Sequence, residues 1–99
     1  KLIGIGQLFI DDEKRVAYVS DKPVELTYKE YELLKYLALN RGIVLTRDNI
    51  MDRIWSTDYE GESRTLDVHI KTLRHKLGIA GNYIKTVRNV GYFMDDEAH

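Results

Sequence analysis

An α+β fold is predicted, with an N-terminal antiparallel sheet, a three-helix core and a C-terminal β-hairpin. Three observations predict it. Residues 1–26 are short apolar runs broken by turn residues. Residues 27–77 carry apolar side chains at helical spacing between recognisable start and stop signals. Residues 83–94 return to two short β-type runs across a turn. The 99 residues, 43% hydrophobic and 31% charged, suffice for one globular domain with a modest core and lie outside the disordered class.

The N-terminal strands are expected at LFI (8–10), RVAYVS (15–20) and PVEL (23–26), separated by DDEK (11–14) and SDK (20–22). Separators this short favour an antiparallel meander, and Pro23, the single proline, belongs on an edge or at a strand start. Thr27 and Glu30 form a T-x-x-E capping box that opens the first helix, with Tyr31, Leu34, Leu37 and Ala38 on its apolar face. Asn40-Arg41-Gly42 ends it, Gly42 taking the left-handed cap conformation. Thr46 caps a second helix through about Trp55 that buries Ile50 and Ile54, and the polar STDYEGE (56–62) reads as a loop. A third helix covers 63–77 and stops at Gly78. YIKTV (83–87) and GYFM (91–94) make a hairpin around Arg88-Asn89-Val90; Asn89 tolerates positive φ and Gly91 supplies it freely. Sheet, three helices and hairpin, in that order, are the plan of a winged helix-turn-helix.

The formal net charge of −1 argues against a nucleic-acid partner, but the distribution reverses that impression. Residues 64–88 hold six basic side chains (Arg64, Lys71, Arg74, Lys76, Lys85, Arg88) against one acid, Asp67, a local charge of +5. The segments on either side are each −3. A basic segment in an acidic body is an electrostatic footprint for phosphate, although a solvated helix face gives the same composition. At about 100° per residue, Leu66, Ile70, Leu73 and Leu77 fall within about 40° of Leu66 and form one core stripe. Arg64, Val68, Lys71, Thr72 and His75 lie on the far side. Cations, a hydroxyl and methyl groups are what reading a major groove requires. Arg88 at the tip of the hairpin is placed for a minor groove, where Arg is favoured.

Catalysis and cofactors are not expected. The chain has no cysteine, so thiolate metal sites and a cysteine nucleophile are excluded. His69 and His75 are about 120° out of alignment on one helix, and the third histidine, His99, is terminal. Asp11-Asp12 is an acidic pair in a turn, and Gly4-x-Gly6 lacks the third glycine of a dinucleotide fingerprint. No apolar run reaches the about 18–20 residues of a membrane span, and the first residues do not have the shape of a signal peptide. A soluble, cytoplasmic domain is expected.

LTYKEYELLKYLALNRGIVLTRDNIMDRIW, SRTLDVHIKTLRHKLG and YIKTVRNVGYFM together resemble the DNA-binding effector domain of OmpR/PhoB-type response regulators over roughly residues 15–94. The pairing of RTLDVHI with TVR-x-VGY is specific to that family. The resemblance implies a bacterial, sequence-specific binder of double-stranded DNA that controls transcription as the output half of a two-component regulator. It implies a receiver domain of the same protein, not contained in these 99 residues, on which a cognate histidine kinase acts. A second copy in tandem on direct repeats is implied as well.

Carried over by residue, the resemblance gives phosphate contacts to Trp55, Arg64, His69, Arg74 and Tyr92. Val68, Lys71, Thr72 and His75 fall at base-contact positions, and Thr86 and Arg88 at wing contacts. Trp55 and Tyr92 serve equally as core residues, and a half-buried His69 bonded within the fold is the alternative for that ring. Asp67 is expected to pair with Arg or Lys on its own helix. The loop with Asp58, Tyr59, Glu60 and Glu62 resembles the segment that contacts RNA polymerase, and equally reads as a solvated connection. Three departures stand out: Thr72 where many relatives have Arg, Asn89 in place of a common Gly, and a short link at 78–83. They leave the fold outline intact, but the relatives' target sequence cannot be borrowed. The competing class is a protein-interaction module, which the acidic body and loop suit.

Overall fold

The structure, a computed structural model, describes residues 2–55 and 64–95. Four short strands, β1 (Leu2–Ile5), β2 (Leu8–Asp11), β3 (Val16–Val19) and β4 (Lys22–Val24), form an antiparallel meander in chain order. Strand alternation sends Ile3, Ile5, Leu8, Ile10 and Ala17 into the core, while Leu2 and Phe9 stay outside. Ser20 and Asp21, with φ of 51° and 69°, turn β3 into β4 as a two-residue hairpin loop. Pro23 lies on the edge strand, where its missing N–H leaves no central ladder bond unmade. The sheet has one strand more than the three runs named from sequence. LIGI is weakened as a strand by its glycine, and it becomes one by pairing Leu2 with Asp11 through Ile5 with Leu8.

Helix α1 (Tyr28–Leu39) follows the capping box as expected. Thr27 Oγ1 accepts from the Glu30 N–H at 3.2 Å, and Glu30 Oε1 accepts from the Thr27 N–H at 2.9 Å. Its Leu33, Leu34, Leu37 and Ala38 are fully buried. Helix α2 (Arg47–Ile54) starts at Thr46, whose hydroxyl accepts from the Asn49 N–H, and buries Ile50, Met51 and Ile54. Helix α3 spans Arg64–Leu77, and a 3-10 helix, Gly78–Tyr83, fills the short link that follows. Gly42 and Gly78 take the left-handed conformation after their helices, φ 84° and 58°.

The C-terminal hairpin, β6 (Ile84–Val87) and β7 (Gly91–Met94), gains a third strand that sequence did not reveal. Leu45–Thr46, named β5 here, pairs with β7 to give the order β5-β7-β6. Two residues carry no periodicity, so β5 exists only because β7 lies beside it. The same contact corrects the role of Gly91. Positive φ in the turn belongs to Asn89, at 64°, and not to Gly91. Gly91 is required for close approach: a Cβ there would stand 1.9 Å from the Leu45 carbonyl oxygen. Among the described residues no helix is long and apolar enough to cross a membrane.

Candidate nucleic-acid interface

The helical wheel of α3 holds in three dimensions. Leu66, Ile70, Leu73 and Leu77 are at most 1% exposed. Arg64, Val68, Lys71, Thr72 and His75 are all exposed on the opposite face. An amphipathic helix is held by its buried stripe, so the stripe sets the direction in which the polar face points. Val68 is 53% exposed although a valine gains by burial.

Polar contacts fix how this helix sits against its neighbours. Asp67 is bonded from two sides. Arg47, at the start of α2, donates to Oδ1 at 2.8 Å and to Oδ2 at 2.9 Å, and the Tyr92 hydroxyl on β7 donates to Oδ1 at 2.6 Å. The partner of Asp67 is therefore on another helix, 20 residues earlier, and not on its own helix as expected. A forked guanidinium matches a carboxylate in two bonds, so this triangle sets both distance and orientation between α2, α3 and the hairpin. Arg47 holds the Asp67 carboxyl below the usual carboxylate range; burial opposes this and the Tyr92 hydroxyl reinforces it. Burial, with the neighbouring Asp67, pushes the Tyr92 phenol up.

Glu30 makes the second tie. It is 4% exposed, a buried carboxylate on α1. Besides the capping bond, Oε1 accepts from Lys76 Nζ at 2.7 Å and Oε2 from the Thr72 hydroxyl at 3.0 Å. Burial pushes its carboxyl up, but Lys76, the Thr27 N–H and Thr72 outweigh burial and hold it below the usual range. From sequence Glu30 is legible only as a cap, and nothing singles out Arg47. Their reach to α3 left no local signal, because it joins positions 42 and 20 residues apart.

The remaining candidates fall into two groups. Trp55 and Tyr92 are 7% and 6% exposed, and His69 is half-buried. His69 packs edge-on to Trp55 at 4.9 Å between centroids, and its Nδ1 lies 2.9 Å from the Thr65 carbonyl oxygen. A carbonyl only accepts, so Nδ1 carries the proton. Arg74 is half-buried and spans from α3 to the hairpin. It donates to the Ile84 carbonyl oxygen at 3.2 and 2.7 Å and to Thr86 Oγ1 at 2.8 Å, and lies 5.7 Å from the Tyr92 ring centroid. By contrast Lys71, His75, Lys85 and Arg88 are exposed, and their side chains make no ion pair or hydrogen bond among the described residues. Of the sequence-predicted residues, Arg64, Val68, Lys71, Thr72 and His75 share the exposed face of α3, and Arg74 ties α3 to β6, the strand that leads into the turn with Arg88 and Asn89. Asp58, Tyr59, Glu60 and Glu62 lie outside the described residues.

Residues 21–94 match the family described as "Transcriptional regulatory protein, C terminal". The sensory transduction protein RegX3 of Mycolicibacterium smegmatis is 42% identical over 93 residues, which are 91% of this chain and 41% of RegX3. The DNA-binding domain of Klebsiella pneumoniae RstA, solved in complex with the RstA box, superposes with a TM-score of 0.86 at 34% identity, covering 97% of this chain and 98% of that domain. The Thermotoga maritima response regulator DrrB, an OmpR/PhoB homologue, gives 0.86 at 33% identity, covering 95% of this chain and 44% of DrrB. The chain therefore spans less than half the length of RegX3 and of DrrB.

Proposed function

This chain belongs to the OmpR/PhoB family of transcriptional regulatory proteins, as its C-terminal winged-helix DNA-binding domain, and on that premise we propose how it engages DNA. The family is one of transcription-factor domains, not of enzymes. Helix α3 enters the major groove with Val68, Lys71, Thr72 and His75 towards the base edges. The hairpin tip places Arg88 in the adjacent minor groove, with Thr86 beside it. Arg64, at the start of α3, clamps a phosphate where the helix N-terminus also favours an anion. His69, Arg74, Trp55 and Tyr92 line the flanks of that surface. His69 reaches a phosphate through Nε2 and donates to it in the protonated ring. Arg74 and Tyr92 already hold protein partners, so they serve chiefly by positioning the hairpin.

The observation that carries this reading is the exposed, cationic and methyl-bearing face of α3 directly opposite a stripe with no exposure. In the longer protein a receiver domain, phosphorylated through a histidine kinase in the cytoplasm, controls this output domain. Two copies then bind direct repeats head to tail, and the acidic segment 56–62 meets RNA polymerase.

Selection of sites from random duplex DNA at about 0.15 M salt, where long-range surface electrostatics is screened, tests the reading. The expected result is an enriched sequence, doubled as a direct repeat when two domains are tethered. No enrichment from either the single or the tethered domain overturns it.

A further inference from the structure

The outward face of α3 carries two methyl-bearing side chains four residues apart, Val68 and Thr72, both exposed. The Thr72 hydroxyl, however, is already committed. Its Oγ1 lies 3.0 Å from Glu30 Oε2 and 3.1 Å from the His69 carbonyl oxygen. A hydroxyl has one proton, and a carboxylate and a carbonyl only accept, so that proton stays within the protein whichever neighbour takes it. What Thr72 leaves to solvent is its γ-methyl, with the acceptor lone pairs of Oγ1 but no proton to donate.

Glu30 is itself immobilised. Its Oε1 is held by the Thr27 N–H at 2.9 Å and Lys76 Nζ at 2.7 Å, which leaves Oε2 facing Thr72. The same carboxylate thereby occupies the ammonium one turn further along α3. On that side of the helix both polar donors are turned towards α1.

We propose that Glu30, a residue that does not itself reach DNA, is a positioning residue for base recognition: by holding the Thr72 hydroxyl inward it leaves a Val68–Thr72 methyl strip that selects thymine 5-methyl groups. The proposal rests on the reading that α3 enters the major groove. Thymine is the base that presents a methyl group there. Residues four apart rise by about 6 Å along a helix. Base pairs step by about 3.4 Å, so the strip addresses two thymines about two steps apart. Guanine readout at position 72 needs an outward donor, and the one donor of Thr72 is taken.

The test starts from the duplex selected by the chain. Each thymine is replaced singly by deoxyuridine, which lacks only the methyl. Removing a buried methyl weakens binding about fourfold at one or two thymines and leaves the others unchanged. T72S keeps the hydroxyl and removes the methyl, and the thymine-to-deoxyuridine affinity ratio falls to about one at one of those thymines. T72V removes the hydroxyl and keeps a methyl, and the ratio persists. E30A leaves the hydroxyl only the His69 carbonyl oxygen at 3.1 Å and lowers the ratio, but not in a T72V background; a thermal melt shows whether it folds, and if it does not, E30Q takes its place, its amide nitrogen facing Thr72 while its oxygen keeps the Thr27 N–H and Lys76.

The opposite pattern, with T72V losing the ratio and T72S keeping it, overturns the proposal while α3 remains the reading helix. Equal loss on thymine and deoxyuridine duplexes in folded E30A reduces Glu30 to a fold residue and overturns its positioning role. If no sequence is enriched at all, the major-groove reading fails and the proposal fails with it.

Discussion

The N-terminal sheet and the α3–hairpin region are built in different ways. In the sheet, consecutive strands pair with their neighbours in sequence, and alternation alone decides which side chains are buried. In the α3–hairpin region, the elements are oriented by charged side chains that cross between them: Arg47 and Tyr92 on Asp67, Lys76 and Thr72 on Glu30, Arg74 on Ile84 and Thr86. Apolar contacts are non-directional, whereas a forked or charge-assisted hydrogen bond specifies an angle. A region that must present cations and methyl groups in a fixed array needs that directionality. The sheet has charged ties as well, Arg15 to Glu32 and both Lys35 and Tyr31 to Asp12, but they run from the β2–β3 turn to α1 and leave strand order and register to the pairing of neighbours.

That contrast can be broken at several points. The largest effect is expected from removing apolar anchorage common to both regions. Leu73→Ala, at a fully buried position of α3, costs about 2–5 kcal/mol in urea unfolding, and the folded fraction keeps its base preference. Gly91→Ala comes next. Its methyl meets the Leu45 carbonyl, so β5 must part from β7, with a loss of about 3 kcal/mol by thermal melting. An unchanged melting temperature would show that the β5 contact is dispensable.

Glu30→Gln tests the polar side of the contrast. It costs about 1.5–3 kcal/mol at neutral pH, the worth of a hydrogen bond to a charged group. The Glu30 carboxyl is lowered in the folded state, so its contribution is present above its unfolded pKa. That contribution is lost as pH falls through the lower folded value. The wild type therefore loses stability on acidification below about pH 4.5, and the variant loses less, as paired melts from pH 7 downwards would record. Parallel curves for the two proteins would remove Glu30 from the acid response.

The two smallest effects concern DNA alone. Lys71→Ala is expected to relax base preference at one position by about 1–2 kcal/mol, read from competition with single-base variants. Equal loss on every sequence would make Lys71 a phosphate contact. Arg64→Ala weakens all sequences alike and lowers the salt slope of log K by about one, so an unaltered slope would remove Arg64 from the phosphate contacts.

Much of the architecture was legible because it is written in local periodicity and caps. The α3 stripe, the Thr27–Glu30 box and the Thr46 cap depend on residues within one or a few turns of each other, and they stand where the spacing placed them. The α3 face and the basic hairpin tip were legible for the same reason. The partner of Asp67 was not, because the nearest cations in sequence are on its own helix while the better-oriented guanidinium comes from α2. Nor was the reach of Glu30 to Thr72 and Lys76.

By itself, then, the sequence determined the helices, the hairpin, the buried stripe and the side of α3 that faces outward, since each follows from patterns of a few residues and from burial of apolar surface. Only the tertiary structure decided that β5 is a strand, that Gly91 yields room to Leu45 while Asn89 makes the turn, and that Arg47, Glu30 and Arg74 tie α3 to α2, α1 and the hairpin. These depend on which groups meet across long stretches of chain, and a directional contact between distant residues leaves no period in the sequence.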